Sequence, residues 1–270
     1  APNWSPDGKY LLINGGGKLY RLPLSSEGGT APVLVDLGEV QGVNNDHGIA
    51  PDGKRYAVSA RGPAGGSQIY VSQSDGSGRR LVTEKAPSYF HGWSPDGKWL
   101  AYAARRDGVN FTANFDLYRI AAEGGEEERL TRDPGYDDGP DYTPDGKWIY
   151  FNGERAEGWD LYRIPADGKG DPVRITSDER EDWFPHPSPD GKWLVFVSFA
   201  KGTKGHPANQ KGVQLRIMKM PDAKGKAGKI EVLHELFGGQ GTMNVNSWAP
   251  DSRRFAFVSY EVLANPLESK

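Results

Sequence analysis

The chain of 270 residues contains no cysteine, which excludes disulfides and thiolate metal centres but leaves the compartment open. It has no apolar run longer than a strand, so no segment reads as a membrane-crossing helix. The opening Ala1-Pro2-Asn3-Trp4 is not a signal peptide, and export would require a leader already removed. Thirty-three Lys and Arg against thirty-six Asp and Glu give a formal charge of −3, with the two signs interleaved. Without a basic stripe, a nucleic-acid partner is not expected. No G-x-S-x-G nucleophile elbow occurs either. What the chain does have is turn formers, 36 Gly and 20 Pro, placed between short apolar runs as in a turn-rich fold and not as in a disordered chain.

The turns repeat. Ser94-Pro95-Asp96-Gly97-Lys98-Trp99 recurs as TPDGKW at 143–148 and SPDGKW at 188–193, with looser copies around Pro6, Pro51 and Pro250. Proline presets φ for a type I turn, aspartate bonds its own backbone, and glycine takes the left-handed conformation that follows. This is a hairpin connection closed by a bulge. Each copy runs into a short apolar stretch, such as Trp99-Leu100-Ala101-Tyr102-Ala103, that suits a strand covered on both faces. The turn prolines lie 45, 44, 49, 45 and 61 residues apart, the period of a four-stranded propeller blade. The third unit resolves into strands over 89–94, 99–104, 115–121 and 127–131, and FDLYRI (115–120) is answered by WDLYRI (159–164) in the fourth.

The expected fold is therefore all-β, a single six-bladed β-propeller over 1–270, with blades near 1–40, 41–85, 86–133, 134–178, 179–235 and 236–270. The sixth unit holds only strand a and strand b, the latter at 254–260, so that blade is expected to be two strands short. Either a native N-terminal segment outside this sequence completes that blade, or its exposed edge would invite a further strand or self-association.

The pattern W-S-P-D-G-K-W-L … D-L-Y-R-I … E-R-L-T resembles the TolB-type propeller repeat over practically the whole chain. The resemblance implies a periplasmic or secreted protein, with the cytoplasm left open by the sequence. It implies a platform for a protein or peptide segment, a non-catalytic domain of a peptidase, or a metal-dependent oligogalacturonide lyase. Fold alone does not choose among these.

The local signal lies at the start of each strand a, where residues ring the channel mouth opposite the PDG turns. The candidate ligand-binding residues are Asn45, Asp46, His47, Tyr89, His91, Asp137, Asp138, Asp141, Asp182, His186, Asn244 and Asn246. Three of the five histidines fall in this register. Converging imidazoles and carboxylates suit a divalent cation, with His47, His91, His186 and Asp138 as candidate ligands. Ca²⁺ would favour an oxygen-rich set, Mn²⁺ or Zn²⁺ a histidine-carboxylate set. A water-filled channel with mutually paired polar groups explains the same residues. The connection Phe199–Gly212 is long enough for a lid, and His206 within it reads first as a solvent-exposed loop residue, with a place at the channel mouth as the alternative. Arg105, Arg106, Glu154 and Arg155 read as solvated hairpin ends, and Trp99, Trp148 and Trp193 as packing between blades.

Two functions follow. The first is a non-enzymatic binding scaffold with a polar ligand, peptide or ion at the channel mouth. The second is a metal-dependent lyase, in which the ion would stabilise enolate-like charge and a nearby Lys or Arg would act as base. No basic residue falls in the inner ring, which favours the scaffold.

Overall fold

The computed structural model describes residues 1–25, 30–106, 114–155, 158–222 and 225–261. Twenty strands form five antiparallel sheets of four, each in chain order. The first sheet comprises β1 (Pro2–Trp4), β2 (Tyr10–Gly15), β3 (Lys18–Pro23) and β4 (Val33–Val35). The second comprises β5 (His47–Ile49), β6 (Arg55–Arg61), β7 (Ser67–Gln73) and β8 (Arg80–Leu81). The third comprises β9 (Ser88–Trp93), β10 (Trp99–Ala104), β11 (Asp116–Ala121) and β12 (Glu128–Arg129). The fourth comprises β13 (Asp137–Tyr142), β14 (Trp148–Arg155), β15 (Gly158–Pro165) and β16 (Val173–Arg174). The fifth comprises β17 (Glu181–Pro187), β18 (Trp193–Phe199), β19 (Gln210–Lys219) and β20 (Glu231–Gly238).

The repeated phrase works as its chemistry requires. In the third unit Ser94 Oγ donates to Asp96 Oδ1 (2.6 Å) and accepts from the Trp99 amide (2.9 Å), while Asp96 Oδ1 accepts from the Lys98 amide (3.1 Å). Thr143 and Ser188 repeat the arrangement, and Gly97 holds φ at +67°. Trp99, Trp148 and Trp193 then carry Arg119, Arg163 and Lys219 over their rings.

The core lies between blades, because a sheet apolar on both faces must bury both. Tyr102, Ile120, Val71 and Phe90 belong to one such layer, and Phe151, Tyr162, Leu117 and Ala101 to another. The channel-facing strands of blades 3 to 5 share a bulge. Phe90 pairs Tyr102 and Gly92 pairs Ala101, leaving His91 off the ladder; Gly139-Pro140 and Phe184-Pro185 lie at the same step in β13 and β17. Such bulges accept proline and re-aim side chains.

The six-blade expectation is not met: the described residues form five four-stranded blades. The sixth turn does form, with Ser252 at φ +55° in place of glycine, and Ala249 donates to the Arg254 carbonyl. Beyond it, among the described residues, one isolated bridge, Trp248 to Phe255, is made. A lone hairpin without outer strands is marginal, and this segment bonds its neighbours instead. The Tyr260 amide donates to the Phe237 carbonyl, the Trp248 indole to the His186 carbonyl, and Asn3 Nδ2 to the Asn246 carbonyl. Self-association through an edge of blade six thus loses its structural basis. In the long fifth unit the connection between β18 and β19 spans 200–209, within the expected Phe199–Gly212, and β20 runs on to Gly238, past the expected blade boundary at 235.

Candidate functional site

The amino-terminal ends of the inner strands meet at a cavity of about 290 Å³. Six of the residues expected there line it: Asn45, Asp46, Tyr89, His91, Asp138 and Asn244. Asn44, Phe115, Tyr136, Phe184, His206 and Gln240 complete the lining.

A buried chain of polar contacts forms its base. His91 Nε2 lies 3.0 Å from Asp138 Oδ1, and His91 Nδ1 lies 3.1 Å from the Asn244 carbonyl. Both ring nitrogens face acceptors, so both bonds are made only when the ring carries two protons. Burial alone would disfavour that charge, but the Asp138 carboxylate, with Asp46 and the Asn244 carbonyl, outweighs it and raises the His91 pKa to about 9. Reciprocally, burial raises the Asp138 pKa, yet His91 and the Gly139 amide at 2.8 Å more than offset this and hold it below the usual value. Asp46 accepts from Asn244 Nδ2 at 3.2 Å, and burial pushes its pKa up.

Aromatic rings wall the space above. Phe115 packs on Tyr89 at 5.8 Å and on Tyr136 at 4.9 Å between centroids. Phe184 stacks on the His91 ring at 5.9 Å, and His206 sits edge-on to Phe184 and Trp183. Phe184 is 1 % exposed and adopts φ +54°; a bulky residue in the left-handed region is strained by about 1–3 kcal/mol.

Six predicted residues lie elsewhere. Asp141, His186 and Asn246 form a separate buried group nearer the turns, where Asp141 Oδ2 meets His186 Nδ1 at 3.0 Å and Asn246 Nδ2 at 2.9 Å. His47 is fully buried with Nε2 3.4 Å from Asn14 Oδ1, and burial drops its pKa to about 3, so it stays neutral. Asp137 pairs with Arg155 at 2.9 Å, and Asp182 accepts from Ser198 and Arg216. Burial lifts both carboxyls to about 7 against the pull of those partners. The three candidate metal-binding histidines thus engage three different sets of partners. Among the described residues no group of three or more His, Asp or Glu is arranged to hold a metal ion.

Two sequence expectations are corrected. His206 is not a solvent-exposed loop residue: its side chain is 19 % exposed and Nε2 reaches within 3.6 Å of Asp138 Oδ2. Nothing in FAKGTKGHPANQKG distinguishes an inward from an outward histidine, since a loop has no period. Arg106 is not a solvated hairpin end. It is buried, bonding Glu127 at 2.7 Å, Ser88 Oγ and the Pro87 carbonyl.

Residues 92–220 match the family model for the TolB beta propeller domain. A solved structure from Agrobacterium tumefaciens, provisionally named TolB, is 48% identical and superposes with a TM-score of 0.89, covering 97% of this chain and 90% of that one. The Tol-Pal system protein TolB of Bordetella pertussis is 37% identical over 37% of this chain and 32% of its own length. An oligogalacturonate lyase in complex with manganese, 17% identical with a TM-score of 0.58 over 86% of this chain and 64% of its own, shares the fold alone. With near-half identity maintained along almost its whole length, the chain belongs to the TolB-like β-propeller family.

Proposed function

We propose that this chain is a non-enzymatic binding scaffold whose channel-mouth cavity takes a polar ligand or a segment of a protein partner. The observation that supports it is the cavity itself, where the Asp46, His91, Asp138 and Asn244 network is overlaid by aromatic rings. Rigid polar anchors under apolar walls fix orientation and exclude water, as in ligand sites generally. The platform role that a TolB-type propeller implies agrees with this. The lyase alternative would need a base beside the cavity, and among the described residues no Lys or Arg lines it.

A peptide array probed with the native chain and with a Tyr89→Ala variant tests the reading. Tyr89 is half-buried at the mouth, so its loss should leave the fold intact, which circular dichroism checks. Sequences retained by the native chain should be released by the variant; equal retention by both would move the binding surface away from the cavity. We place the protein in the periplasm or outside the cell on the family resemblance, and fractionation of a cell expressing its natural gene checks that assignment.

A further inference from the structure

We propose that the channel-mouth cavity selects a cationic nitrogen, the ammonium or guanidinium of a lysine or arginine side chain carried by a peptide. The inference rests on the cavity being a ligand site and adds what that site recognises.

The open carboxyl oxygen decides the sign. Asp46 and Asp138 line the cavity with two imidazoles, His91 and His206, and burial raises the Asp46 pKa, so a positive donor beside Asp46 is what would hold it ionised. His91 spends both N–H groups inward, on Asp138 and the Asn244 carbonyl, so the Asp138 charge is already answered. Asp46 is not. It is 6 % exposed, its Oδ1 accepts from Asn244, and among the described residues no side chain donates to its Oδ2. A buried carboxylate with one oxygen unanswered and facing a cavity is completed by a donor bearing positive charge. Backbone amides and neutral hydroxyls of a ligand would supply the bond without the charge.

The walls point the same way. Tyr89, Phe115, Tyr136 and Phe184 line the space, and aromatic rings attract cations at their faces while disfavouring carboxylates and phosphates there. At about 290 Å³ the cavity sits at the small end of the roughly 300–1,000 Å³ found for ligand sites. It has room for the end of one side chain.

Isothermal titration of the full chain at pH 7.5 with three peptides tests this: acetyl-Gly-Lys-Gly-amide, its Nε-acetyl-lysine form, and acetyl-Gly-Glu-Gly-amide. The lysyl peptide should bind at least about tenfold more tightly than either other, the scale of one charge-assisted hydrogen bond. Asp46→Asn keeps the shape and should erase that preference. His206→Lys places an ammonium beside Asp138 from within the chain and should weaken the lysyl peptide by competition. It sits in a loop and guards against a misfolded Asp46→Asn. Tighter binding of the acetylated or glutamyl peptide would overturn the cation while leaving the cavity a ligand site. No binding by any of the three would also overturn it, and the array experiment would then decide the broader reading alone. An undiminished preference in both variants would place the cation elsewhere on the surface.

Discussion

Replacing Asp138 by Asn keeps the side-chain shape and removes the charge that holds His91 protonated. The His91 pKa rises from an ordinary 6.5 to about 9 in the folded state. By linkage that rise contributes about 3 kcal/mol. A second route agrees, since removing one partner of a buried ion pair costs about 3–5 kcal/mol. The pKa is raised on folding, so the contribution is complete below pH 6.5 and is lost as the pH climbs through 9. Urea unfolding of native and Asp138→Asn protein at pH 6, 7.5, 9 and 10 gives the difference directly. The native chain should lead by about 3 kcal/mol at pH 6, and the lead should shrink to near zero by pH 10. Asp137 and Asp182, both lifted to about 7, make the native chain lose stability between roughly pH 4 and 7. They occur in both proteins, so they cancel in the difference. A gap that stays constant from pH 6 to 10 would refute the assignment of His91 as the imidazolium, as would an Asn variant equal to the native chain at pH 6.

Phe184→Gly should be less destabilising than Phe184→Ala by about 1 kcal/mol, because glycine relieves the left-handed φ and this outweighs its greater freedom in the unfolded chain; thermal melts giving the ordinary order would show that the bulge is not strained. Arg106→Ala should cost about 3 kcal/mol at pH 7, as it strands Glu127 in a largely buried pair. Despite burial, Arg106 and Lys85 hold Glu127 down to about 2, so this penalty should fade as the pH drops from 4.5 towards 2, and a pH-independent penalty in chemical denaturation would contradict it. Ser94→Ala removes the hydroxyl that bridges the third turn and should cost about 1 kcal/mol, whereas changes at Ala50 or Ala249, which occupy that position without a hydroxyl, lose no such bond.

Local chemistry made the frame legible. Proline, aspartate and glycine specify their turn within six residues, and a turn followed by a two-sided apolar run has few alternatives, so strands such as Trp99–Ala104 are found where the sequence puts them. The blade count was less legible because a turn reports that two strands meet, not that a sheet grows from them. Pro250-Asp251-Ser252 turns as the others do, yet the segments flanking it bond elsewhere, Asn246 before it to Asn3 of β1 and Tyr260 after it to Phe237 of β20. The site was half legible for a related reason. The candidate residues were picked by register along strand a, but a strand alternates faces, so residues one step apart part company: Asp138 lines the cavity while Asp137 turns to Arg155.

The bulge explains why the site lies where it does. Residues on the ladder are tied to both neighbours, and changing them disturbs the sheet; His91 in blade 3, and the residues four and five before the turn proline in blades 4 and 5, are released from that constraint. The frame still holds them, but by a different bond: the Phe90 amide donates to Ser59 Oγ and the Phe184 amide to Asn152 Oδ1, each from the preceding blade's second strand. Backbone position is thereby fixed while side-chain identity is left free. Blade 3 uses the freedom for His91, blade 4 for Gly139 beside Asp138, and blade 5 for Phe184. Those three differences bring a cation, its carboxylate with a donating amide, and an aromatic lid-wall to one point. A symmetric propeller could place only the same residue at each of these steps, and five identical groups would either repel or leave one another unpaired. The cavity's polar chemistry therefore resides in departures from the repeat, and the strain tolerated at Phe184 follows: glycine would suit the backbone better, but only a ring at that step can pack on His91 and His206 together.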